Sequence, residues 1–242
     1  MLFVQNSAKM NEQGKYLIIG GTSGIGLALT QQLIERRHEV WTASRRLTGE
    51  PRAYHLAFDA LTGDAAALAL PDALDGFAYC PGSINLKPFH RLSDAEFLDD
   101  FQLNVLSAVR CTRALLPKLK ASPRASIVFF STVAASQGMP FHASISAAKG
   151  ALEGITRSLA AEFAPVIRVN AVAPSLTDTP LAGRLLTSEE KRKASGDRHP
   201  LKRVGNADDI ATAARFLLTP DSAWVTGQIL AVDGGMSSVR GM

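Results

Sequence analysis

"IIGGTSGIGLAL", residues 18–29, sets Gly20, Gly24 and Gly26 between an apolar β-rich run and a helical one. Glycines at that junction let the backbone turn tightly and lie against a pyrophosphate at the positive end of the helix. The spacing alone is a weak signal, and its place after the first strand of an alternating chain strengthens it. Working outward, "KYLIIG" (15–20) reads as that strand and "IGLALTQQLIERR" (25–37) as its helix. Further strands are expected at 39–44, 53–59, 76–80, 125–131, 167–173 and 227–235. Ser93 and Glu96 form a capping box opening a long helix to about Pro117; other helices are expected at 143–163 and, with Asn206 as cap, at 206–218. Strand and helix alternate from end to end, which predicts a single α/β domain over 15–242, its parallel sheet covered on both faces. Residues 180–204 interrupt the rhythm with charge, Gly and Pro; a Thr187/Glu190 capping box predicts one or two short helices in a mobile excursion that closes over a substrate.

The composition narrows the function. With 242 residues, 46% of them hydrophobic, the chain can bury a sizeable core. The net charge of +4 comes from scattered Lys and Arg with no basic run interleaved with aromatics, which argues against nucleic acid. Cys80 and Cys111 lie in apolar stretches without metal-ligand company, so they read as buried free thiols and no metal site is expected. No stretch approaches the ~18 apolar residues of a membrane span. Residues 1–14 read as a flexible leader, without the pattern of a secretion signal, and Met10 offers an alternative start. A cytoplasmic protein is the expectation.

The end of the second strand distinguishes the dinucleotides. An NAD site usually offers a carboxylate there, and a site for the 2′-phosphate offers arginine. Here stand Ser44, Arg45 and Arg46. Two guanidiniums suit a phosphate dianion, so NADP(H) is the expected cofactor.

The spaced glycines, Asp59 after the third strand, Asn104 in "FQLNVLSAV", "FFSTVA", Lys149, "RVNAVAPSLTDTP" and "VTGQILAVDGG" follow one another in an order and spacing that resembles the short-chain dehydrogenase/reductase family. The resemblance spans about residues 15–236 and implies a Rossmann-type, doubly wound, parallel seven-stranded sheet. It implies that Thr22, Ser23 and Ile25 join the glycines in the phosphate loop, that Asp59 meets the adenine amino group, and that Cys80-Pro81-Gly82 passes along the adenosine ribose. Asn104 would hold a water in a proton relay, Lys149 the nicotinamide ribose, and Thr179 the carboxamide, with Pro174, Ser175 and Thr177 beside them. It further implies a homo-oligomer, a tetramer or a dimer, through the helices over 94–117 and 143–163 and the last strand.

The departures are specific. The family's Thr before the first glycine is Ile19, its Asn-Asn-Ala-Gly turn is Tyr79-Cys80-Pro81-Gly82, and the Gly after Pro174 is Ser175. The catalytic Ser falls on Thr132, and the catalytic Tyr on Ile145. Residues four apart share a helix face, so a phenol at 145 would sit beside the Lys149 ammonium, which Ile145 replaces with hydrocarbon. A missing acid costs about 10²–10⁴ in rate. Thr132 offers a hydrogen bond to a carbonyl oxygen, and His142 a substitute proton donor. The sequence therefore supports an NADP(H)-dependent oxidoreductase acting on a small carbonyl or alcohol, with an atypical proton donor. The alternatives are a non-catalytic NADP(H)-binding sensor or inactive subunit, and, behind it, a lyase or dehalogenase. The excursion's Leu181, Leu185 and Leu186 beside Arg184, Lys191, Arg192 and Lys193 suggest an apolar wall with a basic rim around the substrate.

Overall fold

The computed structural model describes residues 13–239, so the leader reading for 1–14 falls almost wholly outside the described residues. Seven strands form one parallel sheet: β1 (Lys15–Ile19), β2 (Glu39–Ser44), β3 (Tyr54–Ala57), β4 (Gly76–Tyr79), β5 (Ser126–Phe130), β6 (Arg168–Pro174) and β9 (Ile229–Val232), in the order β3-β2-β1-β4-β5-β6-β9. Two two-residue strands, β7 (Thr177–Asp178) and β8 (Gly205–Asn206), pair beside it.

The strand sequences are apolar on both faces because both faces are covered. Along β1, Leu17 and Ile19 enter one core, and Tyr16 and Ile18 the other. Along β5, Ile127 and Phe129 join the first core, and Val128 and Phe130 the second. The first core is closed by α3 (Ser107–Lys120) and α4 (Ala143–Phe163) through Leu115, Leu119, Leu152 and Phe163. The second is closed by α1 (Gly24–Glu35) and α6 (Ala207–Leu218) through Leu29, Leu33, Ile210 and Leu217. Fully burying each such side chain contributes about 1.5–3 kcal/mol, so these apolar runs favour helices packed on both faces of the sheet. Among the described residues no helix is long and apolar enough to cross a membrane.

Two expectations need correction. The helix expected as continuous over 94–117 is broken into α2 (Asp94–Phe101), a π-helical turn over Gln102–Leu106, and α3. The buried Tyr79 hydroxyl donates to the Leu103 carbonyl at 2.8 Å and Ser107 Oγ donates to the Gln102 carbonyl at 2.9 Å, so side chains satisfy carbonyls within the wider turn. The second correction lies in the excursion. Its helix α5 (Glu189–Asp197) is capped by Ser188, whose side chain accepts from Lys191 N, and not by a Thr187/Glu190 box. Three residues after Ser188 stands Lys191, so this cap lacks the reciprocal Glu of a box, and only the chain's path selects between the adjacent hydroxyls of Thr187 and Ser188. The boxes at Ser93/Glu96 and Asn206/Asp209 are both formed.

The order reverses between β1 and β4, where β2 and β3 lie to one side and β5 onward to the other. In such sheets ligands occupy the crevice outside the carboxyl ends of the strands at that reversal. The glycine loop follows β1 and Cys80 follows β4, so the sequence motifs converge there.

Candidate active site

The loop after β1 is built for close approach. Gly20 and Gly24 have φ of +79° and +51°, and a Cβ on Gly26 would stand 2.2 Å from the Gly20 carbonyl oxygen, so that turn closes only around glycine. Ser23, the N-cap of α1, makes no side-chain capping bond and leaves its hydroxyl free at the helix N-terminus. Thr22 and Ile25 complete the loop, and the segment after β2 folds back on it: a Cβ on Gly49 would lie 3.3 Å from Thr22 Cα.

At the end of β2, Ser44 Oγ is buried with no hydrogen-bond partner, and Arg45 and Arg46 follow exposed. The next carboxylate along the chain, Glu50, accepts from Arg52 Nε at 2.6 Å. Arg45 and Asp59 line a cavity of about 500 Å³ with Phe58, Thr62 and Leu68. Asp59 itself caps its own turn, accepting from Leu61 N.

Beyond β4, Cys80 N donates to the Ile19 carbonyl and holds Cys80-Pro81-Gly82 against Gly20. Burial pushes the Cys80 thiol up to about 12 and that of Cys111 up to about 11, so both are thiols and not thiolates at neutral pH. Both cysteines are free.

The π turn aims Asn104 at the same place. Its Nδ2 donates to Ser83 Oγ at 2.9 Å and to the Asp100 carbonyl at 2.8 Å, while its buried Oδ1 has no partner. Ser83 Oγ in turn donates to Asp100 Oδ1 at 2.5 Å. Asp100 and Ser83 were not singled out in the sequence, because an isolated Asp in an amphipathic helix reads as surface; here Asp100 is buried. Lys149 Nζ donates to the Phe130 carbonyl at 2.7 Å, and a Cβ on Gly82 would stand 3.2 Å from Asn104 Oδ1 and 3.5 Å from Lys149 Nζ. Burial lowers Lys149 to about 8, against smaller upward pulls from Cys80 and Asp100.

One turn before Lys149 on α4, Ile145 is buried. Thr132 ends the run after β5, its Oγ1 accepting from Ala134 N at 3.3 Å. Further along the chain, Ala134 and Ala135 line a cavity of about 260 Å³ whose wall also includes Lys87, Phe89, Met139, Phe141, His142 and Ser146. Ser146 Oγ donates to the Ala134 carbonyl. The His142 Nδ1 lies 2.7 Å from the Pro140 carbonyl, which can only accept, so Nδ1 carries the hydrogen and Nε2 remains for other partners. Phe141, at the mouth, has a φ of +69°, strained for a bulky side chain.

The excursion reaches across this cleft. The Arg184 guanidinium donates to the Ile84 carbonyl in the loop after β4, and Arg192 pairs with Asp178. Beneath it, Pro174 ends β6 and Ser175 follows, with Thr177 Oγ1 donating to the Ser175 carbonyl and Thr179 Oγ1 to the Thr177 carbonyl. Thr179 packs over Gly24, 3.4 Å from where its Cβ would lie. Ser175 also meets a residue the sequence reading passed over: its Oγ lies 2.8 Å from Nε2 of His199.

The comparisons with known proteins agree with this geometry. The family model described as Enoyl-(Acyl carrier protein) reductase matches residues 58–237. A tropinone reductase homolog of Arabidopsis thaliana is 33% identical over 243 residues, covering 91% of each chain. The ligand-free aldohexose dehydrogenase of Thermoplasma acidophilum superposes with a TM-score of 0.88 at 26% identity, covering 95% of this chain and 96% of that one. The structure of ElxO with NADP bound shares the fold, with a TM-score of 0.86 at 23% identity over 94% of this chain and all of that one. Sheet order, glycine loop, motif positions and this breadth of similarity together establish that the chain belongs to the short-chain dehydrogenase/reductase family of oxidoreductases.

Proposed function

We propose that the protein is an NADP(H)-dependent oxidoreductase acting on a small carbonyl or alcohol compound, with a proton-donor arrangement that does not use the family's Tyr. The observation that carries this reading is a pair of buried polar atoms without partners, Ser44 Oγ at the end of β2 and Asn104 Oδ1 near Lys149. Leaving such an atom unsatisfied costs about 1–3 kcal/mol, so a polar ligand running between these points recovers what the folded chain forgoes. The glycine cradle, closed to any Cβ at Gly26, fits a pyrophosphate between them.

In this reading Arg45 and Arg46 clamp the 2′-phosphate, Asp59 and the 500 Å³ cavity hold the adenine, and Lys149 donates to the nicotinamide ribose. Bound, the reduced dinucleotide supplies a hydride. Thr132 donates to the carbonyl oxygen that gains charge, and His142, on the wall of the smaller cavity, is one source of its proton. The apolar wall of Phe89, Met139 and Phe141 favours a compact, largely apolar substrate.

Fluorescence titration with NADPH and NADH tests the cofactor assignment. Losing one charge-assisted bond to phosphate costs about 1.5–3 kcal/mol, so Arg45→Ala or Arg46→Ala should weaken NADPH at least tenfold and leave NADH nearly unchanged. Equal affinities in the unmutated protein would sink the assignment. A carbonyl panel under single-turnover conditions then tests the reaction.

A further inference from the structure

His199 stands just after α5, where the excursion returns to the body of the molecule, and is only 1% exposed. Its Nδ1 lies 2.8 Å from the Ser195 carbonyl and its Nε2 lies 2.8 Å from Ser175 Oγ. A carbonyl oxygen only accepts, so Nδ1 carries a hydrogen in every protonation state of the ring. The neutral ring therefore offers Nε2 as an acceptor, and the Ser175 hydroxyl must donate to it. Protonation reverses the bond: Nε2–H donates to Ser175 Oγ, and the serine hydrogen is released to point elsewhere. Ser175 is partly exposed while the ring behind it is buried, so the serine is the ring's outlet.

Ser175 is also in the right place. It follows Pro174 at the carboxyl end of β6, on the segment whose Thr179 covers Gly24. Ser131 N donates to the Val172 carbonyl, which carries the β5–β6 pairing on toward Thr132 and Pro174, so Ser175 follows one residue past the partner of Thr132 at the carboxyl edge of the sheet. The charged groups around the ring are Asp233, from the turn after β9, and Arg198 and Lys202 on its own segment. Asp233 is buried and committed to the backbone N–H groups of Gly235 and Ser237, while the Ser175 hydroxyl also lies 3.5 Å from its carbonyl.

We propose that Ser175, backed by His199, is an acid–base couple of this site that exchanges the ligand's proton where Ile145 cannot. The inference rests on the oxidoreductase reading above. When a carbonyl carbon gains a hydride from the reduced nicotinamide dinucleotide, the carbonyl oxygen takes the proton of Ser175 Oγ–H. The serine oxygen takes the proton of His199 Nε2–H, and the imidazole is left neutral, to be reprotonated from solvent through Ser175 between turnovers. Alcohol oxidation runs the same transfers backward, beginning with neutral His199.

Two measurements test this, the first without cofactor or turnover. In ¹⁵N-histidine spectra of the unliganded protein, neutral His199 should carry its hydrogen on Nδ1, and Ser175→Ala should move its Nε2 resonance and its titration midpoint. A hydrogen on Nε2 of the neutral ring, or a titration indifferent to Ser175→Ala, would overturn the proposal. In the second, Ser175→Ala and His199→Gln should each lower kcat at least tenfold with KM and NADPH affinity within about twofold, and should flatten the pH profile in the range where the imidazole titrates. Ser175→Thr should restore most of the loss. Turnover within twofold in Ser175→Ala, with the variant's fold checked by circular dichroism, would equally overturn it. Failure of the unmutated protein to bind NADPH would instead refute the cofactor reading, leaving the imidazole spectra as the separate test of the couple.

Discussion

At the scale of single residues, the site is defined by one hydrocarbon and one amine. Ile145 is buried one turn before Lys149, so a phenol placed there falls on the Lys149 side of α4. Ile145→Tyr is expected to raise carbonyl reduction by an order of magnitude or more, against an overpacking cost of about 1–3 kcal/mol where neighbours have closed around the aliphatic side chain. A variant that binds NADPH tightly and stays inert across the panel would favour the non-catalytic reading. The amine makes a separate prediction. Burial lowers Lys149 to about 8, so between that pH and the ordinary lysine value the unfolded chain holds a proton that the folded chain has released. Stability from this group therefore rises with pH across that window, and below it the buried ammonium is a net cost. The melting temperature of the unmutated protein, relative to Lys149→Met, should increase from pH 8 to pH 10. A constant difference would show that Lys149 does not titrate there.

At the scale of elements, the break between α2 and α3 matters most to the site. A straight helix would have left the Leu103 carbonyl in the ladder and rotated Asn104 elsewhere; the π turn is held by the Tyr79 hydroxyl instead. Burial raises the pKa of Tyr79, so this hydroxyl stays a donor throughout the working pH range. Tyr79→Phe removes only that oxygen and leaves a carbonyl without its partner, which should cost about 1–3 kcal/mol in denaturant unfolding. Because Asn104 lies one residue from the affected carbonyl, NADPH affinity should fall in the same variant. Lost stability with unchanged affinity would show that the turn does not aim Asn104. The excursion works at this scale too: Ser188 caps α5, and Arg184 ties the segment to the far side of the cleft.

At the scale of the whole molecule, several large apolar side chains stand exposed on the described surface. Trp224 is 100% exposed near the outermost strand β9, and Leu98 is 68% exposed on α2, with Phe101 and Leu106 exposed beside it. These exposed apolar side chains are the ground for the expectation that copies of the chain associate, as a tetramer or a dimer. Light scattering at micromolar concentration should report about four chains per particle, and Trp224→Glu should reduce the particle to dimers. A monomer in the unmutated protein would refute the expectation.

The sequence by itself determined the α/β class, the run of strands and helices, the glycine loop and the family. Those signals are local: short apolar β-rich runs, capping pairs such as Ser93/Glu96, and glycines spaced between a strand and a helix are properties of a few consecutive residues. It also placed Ile145 one turn before Lys149, because residues four apart on a helix need no tertiary information to be neighbours. What only the tertiary structure decided was which distant polar atoms meet. Ser83 with Asp100, Arg184 with Ile84, and above all Ser175 with His199 are joined across long stretches of chain. No periodicity links such residues, since each contact exists only once the strands have taken their order and the excursion has folded back over their carboxyl ends. The π turn was hidden for the same reason: local propensity favours a continuous helix over 94–117, and the hydroxyl of Tyr79, on another strand, overrides it.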